Sequence, residues 1–120
     1  MKQILIADDK ATSRELVRTV LEKDGYSVIE AADGIEALKN ARETMPDAII
    51  LDLQMPGLDG FAVLLELRKD QRFAAIPIMA LTASAMQGDR ERAMKMGFNG
   101  YLTKPIGLAM LRSEVDRLLR

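Results

Sequence analysis

The sequence has no cysteine and no histidine. The first absence excludes disulfides, thiolate metal sites and thiol nucleophiles, and it fits a reducing compartment. The second excludes imidazole zinc sites, Ser-His-Asp triads and any role as a phosphohistidine carrier. Chemistry is left to carboxylates, hydroxyls, lysines or a bound ion. No apolar run approaches the ~20 residues of a membrane span. There is also no Pro/Gly/Ser linker, low-complexity tract or internal repeat. A soluble, cytoplasmic protein is the simplest expectation. Neither sign of charge dominates: 17 basic and 18 acidic residues are interspersed, for a net charge of -1. No basic stripe is present, so direct contact with nucleic acid is not expected.

What is present is an ordinary globular balance, 48% hydrophobic and 29% charged over 120 residues. That length supplies one core and is too short for two, so residues 1–120 are expected to form one domain. Two periodicities alternate along it. Short apolar, β-rich runs at 3–7, 26–30, 47–51, 76–81 and 100–103 predict five strands. The runs Ile4-Leu5-Ile6-Ala7 and Ala48-Ile49-Ile50-Leu51 lack alternation, as central parallel strands covered on both faces do. Between the runs lie helical patterns. Thr12 and Glu15 have the spacing of a capping box ahead of Leu16, Val17, Val20 and Leu21, with Gly25 as the stop. Asp33 and Glu36 open a second helix that ends before Pro46, and Phe61, Leu64, Leu65 and Leu67 mark a third. A fourth runs over 86–96 to Gly97, and Leu108, Leu111, Val115, Leu118 and Leu119 form the stripe of a fifth. Alternating strands and helices predict an α/β fold, a doubly wound five-stranded parallel sheet of the flavodoxin-like kind.

In such a sheet ligands bind outside the carboxyl ends of the strands. Here strand 1 runs into Asp8 and Asp9, strand 3 into Asp52, strand 4 into Thr82 and strand 5 into Lys104-Pro105. Taken singly, each is an ordinary cap, turn or solvated side chain. Together they bring three carboxylates to one edge, where their mutual repulsion requires a cation. Oxygen-only ligands point to magnesium or manganese, and an open edge suits magnesium, which binds through one or two carboxylates plus a substrate phosphate. Lys104 offers a positive charge to a phosphoryl oxygen and Thr82 a hydroxyl. A carboxylate nucleophile, a metal, a lysine and a hydroxyl describe phosphoryl transfer onto Asp52.

Asp8-Asp9, the segment Leu51-Asp52-Leu53-Gln54-Met55-Pro56-Gly57-Leu58-Asp59-Gly60, Leu81-Thr82-Ala83 and Lys104-Pro105 resemble the receiver domain of two-component response regulators, CheY-like in fold. The stretch from Thr82 to Asp89, with Gly97 and Tyr101, is similar to DivK-like single-domain regulators and to the receivers of hybrid histidine kinases. The resemblance implies strand order 2-1-3-4-5, which hydrophobicity alone does not give. It makes Asp52 the phosphoacceptor. Asp9, Asp52 and the backbone carbonyl of Gln54 are implied ligands of Mg2+, with Asp8 acting through bound water. Thr82 and Lys104 would contact the phosphoryl group, and the Lys104-Pro105 bond would be cis. Thr82 and Tyr101 would be the switch, changing the face formed by helix 4, strand 5 and helix 5. Implied partners are a sensor histidine kinase or phosphotransfer protein and a downstream target, met as a monomer or weak dimer. The domain would be a signalling module that assists its own phosphorylation and dephosphorylation, not an enzyme in the usual sense.

Other readings compete. Haloacid-dehalogenase-type phosphatases also use a strand-end Asp with magnesium, but place a second Asp two residues on, where this chain has Gln54. A flavin carrier would not present Asp8-Asp9 to an anion. A pseudo-receiver serving only as an interaction module would have no need of the whole set. Tyr101 is either a switch or an aromatic packed on the final helix. Lys10, beside the acidic pair, either weakens the metal or assists the phosphate. Met86, Met94, Met96 and Met110 either fill the core or make an adaptable partner surface.

Overall fold

The computed structural model describes residues 1–83 and 88–120. Five strands, β1 (Gln3–Ala7), β2 (Ser27–Ala31), β3 (Ala48–Asp52), β4 (Ile78–Thr82) and β5 (Gly100–Thr103), form one parallel sheet in the order β2-β1-β3-β4-β5. Helices α1 (Ala11–Lys23), α2 (Gly34–Thr44), α3 (Gly60–Lys69), α4 (Asp89–Met96) and α5 (Leu108–Leu119) connect and follow them. This is the doubly wound, flavodoxin-like arrangement expected from the alternation of elements.

The apolar strands split by parity. Leu5, Ala7, Ile49, Leu51, Ile78, Ala80 and Tyr101 face a core built with α2, α3 and α4. Ile4, Ile6, Ala48, Ile50, Met79, Leu81 and Leu102 face a second core built with Val17, Val20 and Leu21 of α1 and Leu111 and Val115 of α5. Both faces are covered, which is why the central runs carry no polar alternation.

Boundaries differ from the sequence expectation in instructive ways. β3 and β4 start later than predicted and include Asp52 and Thr82 as their last residues. Pro77 has no N–H to donate, and the ladder begins after it at Ile78, which pairs with Ile49. The Thr12/Glu15 capping box does not form. Helix α1 starts at Ala11 with Lys10 as N-cap and no side-chain cap, because the Lys10 N–H donates to Asp8 Oδ1 at 2.9 Å and the chain turns into the helix at once. Asp33 does cap α2, accepting from the Glu36 N–H at 2.8 Å, and Gly25 and Gly97 take positive φ of 93° and 119°. The expected start of the fourth helix at Met86 lies outside the described residues, and the helix is seen from Asp89.

The end of the sheet remote from the strand-end carboxylates is tied by Arg68 of α3. Its guanidinium donates to the carbonyls of Phe73 (2.7 Å), Ile76 (2.9 Å) and Gly97 (2.8 Å) and to Asn99 Oδ1 (2.7 Å). Burial pushes this guanidinium below the usual arginine range, since no carboxylate among the described residues pairs with it. Replacing Arg68 by Met leaves these acceptors without their donor, and we expect it to lower the unfolding free energy by about 3 kcal/mol in a urea titration. A loss below about 0.5 kcal/mol, the scale of an ordinary surface substitution, would show that the network does not hold α3 and α4 together.

Candidate functional site

The strand order reverses at β1, from which the chain runs first to β2 and then back to β3, so a crevice opens between the carboxyl ends of β1 and β3. Side-chain parity decides what enters it. Asp8, Asp52 and Lys104 continue the parity of Ile6, Ile50 and Leu102, all on the α1/α5 face. Thr82 continues that of Ala80 and shares the α2/α3/α4 face with Tyr101. The three residues of one parity meet: Lys104 Nζ lies 2.8 Å from Asp8 Oδ2 and 3.2 Å from Asp52 Oδ2. Asp52 Oδ1 accepts from the Gln54 N–H at 3.0 Å, and Asp8 Oδ1 from the Lys10 N–H.

Burial makes this cluster electrostatically demanding. Asp8, Asp52 and Thr82 are 0%, 2% and 2% exposed. One carboxylate oxygen from each of Asp8, Asp9 and Asp52 lies within 4.8 Å of the others. Three carboxylates against one ammonium leave a surplus of negative charge. Burial, and then the charge of Asp8, push the Asp52 carboxyl above the usual carboxylate range, against the pull of the Gln54 N–H and Lys104. Burial alone would lower Lys104, but its close contact with Asp8 and the charges of both carboxylates hold it above the usual lysine range. Asp8 Oδ2 is buried and in ion contact with Lys104, yet has no donor aligned as a hydrogen bond. A donor set of oxygens only, carrying more negative charge than its one ammonium offsets, fits a hard divalent cation.

The rim is held by close backbone packing. A Cβ on Gly60 would lie 2.5 Å from the Asp52 carbonyl oxygen, so only glycine lets α3 start against the end of β3. Gly57, at φ 75°, makes the preceding turn, and Asp59 caps α3 through the Ala62 N–H at 2.9 Å. Thr82 lines a cleft of about 170 Å³ with Leu53, Gln54, Asp59, Phe61, Asp89 and Arg92. Arg92 sits over the Phe61 ring at 5.6 Å, and Phe61 meets Phe98 edge-on at 5.9 Å. The Tyr101 ring is buried in the α2/α3/α4 core, and its hydroxyl has no hydrogen-bond partner among the described residues. Burial and the charge of Asp89 push that phenol up. The ring therefore lies inward here. The Lys104-Pro105 bond is cis, as the resemblance implies.

From the sequence, Asp59 and Gly60 enter only within the family motif and Phe61 only as a helix marker, none with a role at the site, and Arg92 does not enter. Asp59 carries a legible signal, an acidic cap ahead of a helical stripe. The others become visible only once α3 and α4 are placed beside β3 and β4.

A family model for the response regulator receiver domain matches residues 4–116. The chain belongs to that family. Receiver domains are signalling domains of two-component systems and not enzymes of the usual kind. Among curated relatives, the DNA-binding dual master transcriptional regulator RpaA of Synechocystis is 42% identical over 120 residues, covering 100% of this chain and 50% of RpaA. The polar-differentiation response regulator DivK of Brucella abortus is 39% identical over 107 residues, covering 89% of this chain and 87% of DivK. The receiver thus spans about half the length of the transcriptional regulators it matches and most of DivK. Among solved structures, the receiver domain of the sensor histidine kinase PA1611 of Pseudomonas aeruginosa superposes with a TM-score of 0.89 at 37% identity, covering 98% of this chain and 97% of that one; it has a magnesium ion coordinated in its active-site cleft. Among the described residues of this receiver, no helix is long and apolar enough to cross a membrane.

The raised Asp52 carboxyl sets a pH dependence. The native state keeps this proton where the unfolded chain has lost it, so the contribution of Asp52 to stability is greatest below the ordinary carboxylate range and is lost as pH rises through the raised native value. At neutral pH without added divalent cation, Asp52→Asn should therefore raise the urea midpoint above that of the parent. The difference should shrink as the pH is lowered toward the carboxylate range. A variant less stable than the parent at neutral pH would mean that the Lys104 contact outweighs burial.

Proposed function

We propose that this receiver accepts a phosphoryl group on Asp52 from a sensor histidine kinase or phosphotransfer protein and thereby changes its affinity for a downstream target. The observation that carries the reading is Lys104 Nζ set between the buried carboxylates of Asp8 and Asp52, with Thr82 at the end of the neighbouring strand. Asp9, the Asp52 carboxylate and the Gln54 carbonyl would hold Mg2+, or Mn2+ in its place, with Asp8 acting through bound water. Such a cation neutralises the charge that gathers as a phosphoryl group approaches a carboxylate.

The chain's own residues do the rest. An Asp52 oxygen forms a bond to phosphorus as the phosphorus–nitrogen bond of the donor breaks, and the donor's imidazole leaves with the electron pair. The Gln54 N–H holds the other carboxylate oxygen, which fixes the angle of attack. Lys104 exchanges its contact with Asp52 for one with a phosphoryl oxygen, and the Thr82 hydroxyl donates to another. The substitution of Gln54 for a second Asp removes the general acid that a haloacid-dehalogenase-type phosphatase would need. The whole acceptor set argues against a constitutive interaction module. Mass spectrometry after incubation with a small phosphodonor should show one added phosphoryl group in the presence of Mg2+, none with a chelator, and none for Asp52→Asn. An equal level of adduct in the variant would move the acceptor elsewhere.

Signal output would run through Thr82 and Tyr101 to the face of α4, β5 and α5. Ala80 pairs with Tyr101 and Thr82 with Thr103, so both switch residues stand on one face, two register positions apart. A phosphoryl group that draws the Thr82 hydroxyl inward stabilises the inward Tyr101 ring and biases α4 through the neighbouring Asp89. The domain would act in the cytoplasm as a monomer or weak dimer, without touching nucleic acid itself. Thr82→Ala should still take up phosphate on Asp52, while a beryllofluoride mimic changes partner affinity much less than in the parent. Calorimetry with the cognate partner reads this, and the same enhancement in both proteins would route the signal elsewhere.

A further inference from the structure

The Asp9 carboxylate is exposed, and among the described residues nothing donates to it. Its aim into the crevice is therefore set by the backbone that carries it. The preceding peptide, between Ala7 and Asp8, is fixed by the Asp8 N–H, which donates to the Ala31 carbonyl at 3.1 Å. The peptide joining Asp8 to Asp9 is held at its carbonyl, among the described residues, by one side chain: Arg14 Nη1 donates to the Asp8 carbonyl oxygen at 2.7 Å. Arg14 is itself locked. Its side chain is 17% exposed, and its Nε donates to Glu30 Oε1 at 3.0 Å. The other Glu30 oxygen accepts from Arg18 Nη1 at 2.7 Å, and the Glu30 carbonyl accepts from Asn40 Nδ2 at 3.1 Å. The bond from Arg18, opposed by burial and helped by Arg14, holds the Glu30 carboxyl below the usual carboxylate range, so it stays ionised and balances the guanidinium beside the acidic pair.

We propose that Arg14 is a positioning residue for cation binding, orienting Asp9 through the Asp8–Asp9 peptide, while Glu30 cancels the repulsion that an arginine would otherwise exert on the cation. The inference rests on the reading of Asp8, Asp9 and Asp52 as a Mg2+ site. Two separate effects follow. Arg14 acts through geometry, because a hydrogen bond to one carbonyl decides the direction of a ligand otherwise free to turn. Glu30 acts through both geometry and charge, and its charge component lies near the surface, where salt screens it. Arg18 touches Glu30 but not the Asp8 carbonyl, so it shares the ion pair without sharing the role.

The test is isothermal titration of the full chain with MgCl2, repeated with MnCl2, for the parent and for Arg14→Gln, Arg18→Gln and Glu30→Gln. Loss of a partner that orients a metal ligand typically weakens affinity tenfold or more, so Arg14→Gln should bind Mg2+ roughly tenfold more weakly. Arg18→Gln should stay within about twofold of the parent, as for a surface ion pair. Glu30→Gln should also bind more weakly, and part of its deficit should vanish at high salt while that of Arg14→Gln persists. Should Arg14→Gln fail to fold, Arg14→Lys, which can reach one acceptor but not both, takes its place with a smaller loss expected. Equal affinities for the Arg14 and Arg18 variants beside a parent that binds Mg2+ overturn the proposal alone. A parent that binds neither cation overturns the metal reading and this proposal with it.

Discussion

The arrangement of this receiver turns on two carboxylates, Asp8 and Asp52, held almost without solvent exposure beside a single ammonium. Such burial costs stability unless the charges are compensated, and Lys104 compensates only part of the local charge. The surrounding structure is organised to keep the cluster in place. Gly60 lets α3 approach the end of β3, the Gln54 N–H meets one Asp52 oxygen, and the Lys10 N–H meets one Asp8 oxygen. The fold supplies the crevice, and the unspent negative charge is what a hard divalent cation there would neutralise.

Much of this was legible in the residues because strand parity is a property of the sequence. Once Ile6, Ile50 and Leu102 are assigned to one face, Asp8, Asp52 and Lys104 follow two residues later on the same side, and Thr82 on the other. The apolar runs located all five strands to within two residues, and Asp33, Gly25 and Gly97 punctuated helices as their chemistry requires. The strand order needed the family resemblance, because right-handed crossovers permit more than one order for five similar strands.

What escaped the sequence was tertiary. The Thr12/Glu15 spacing is a sound local signal, yet Asp8 claims the Lys10 N–H and the helix begins before the box. Arg14 and Arg68 read as helix-surface arginines by periodicity alone. Each instead sends its planar fork to backbone carbonyls from other parts of the chain, a use that no spacing rule reports. Tyr101 was legible as an aromatic at the right position, but not the burial of its ring in the core that Ala93 and Phe98, from the preceding helix and turn, complete.

These arginines suggest a division of labour along α3, α4 and α1. Arg68 fastens the carboxyl end of α4 through the Gly97 carbonyl, while the amino end of the same helix, at Asp89, stands beside Thr82 and the Tyr101 hydroxyl. Under the proposed function, a displacement at the amino end of a helix fixed at its carboxyl end would rotate its exposed face. The acidic pair after β1, as the proposed cation ligands, would have the opposite requirement. A cation ligand gains affinity by being held still, and Arg14 with Glu30 ties the Asp8–Asp9 peptide to α1 and β2, on the side of the sheet away from β4, β5 and α4. Under the proposed function, the strand order places the would-be cation ligands Asp8 and Asp9 on one side of Asp52 and the Thr82–Tyr101 pair on the other.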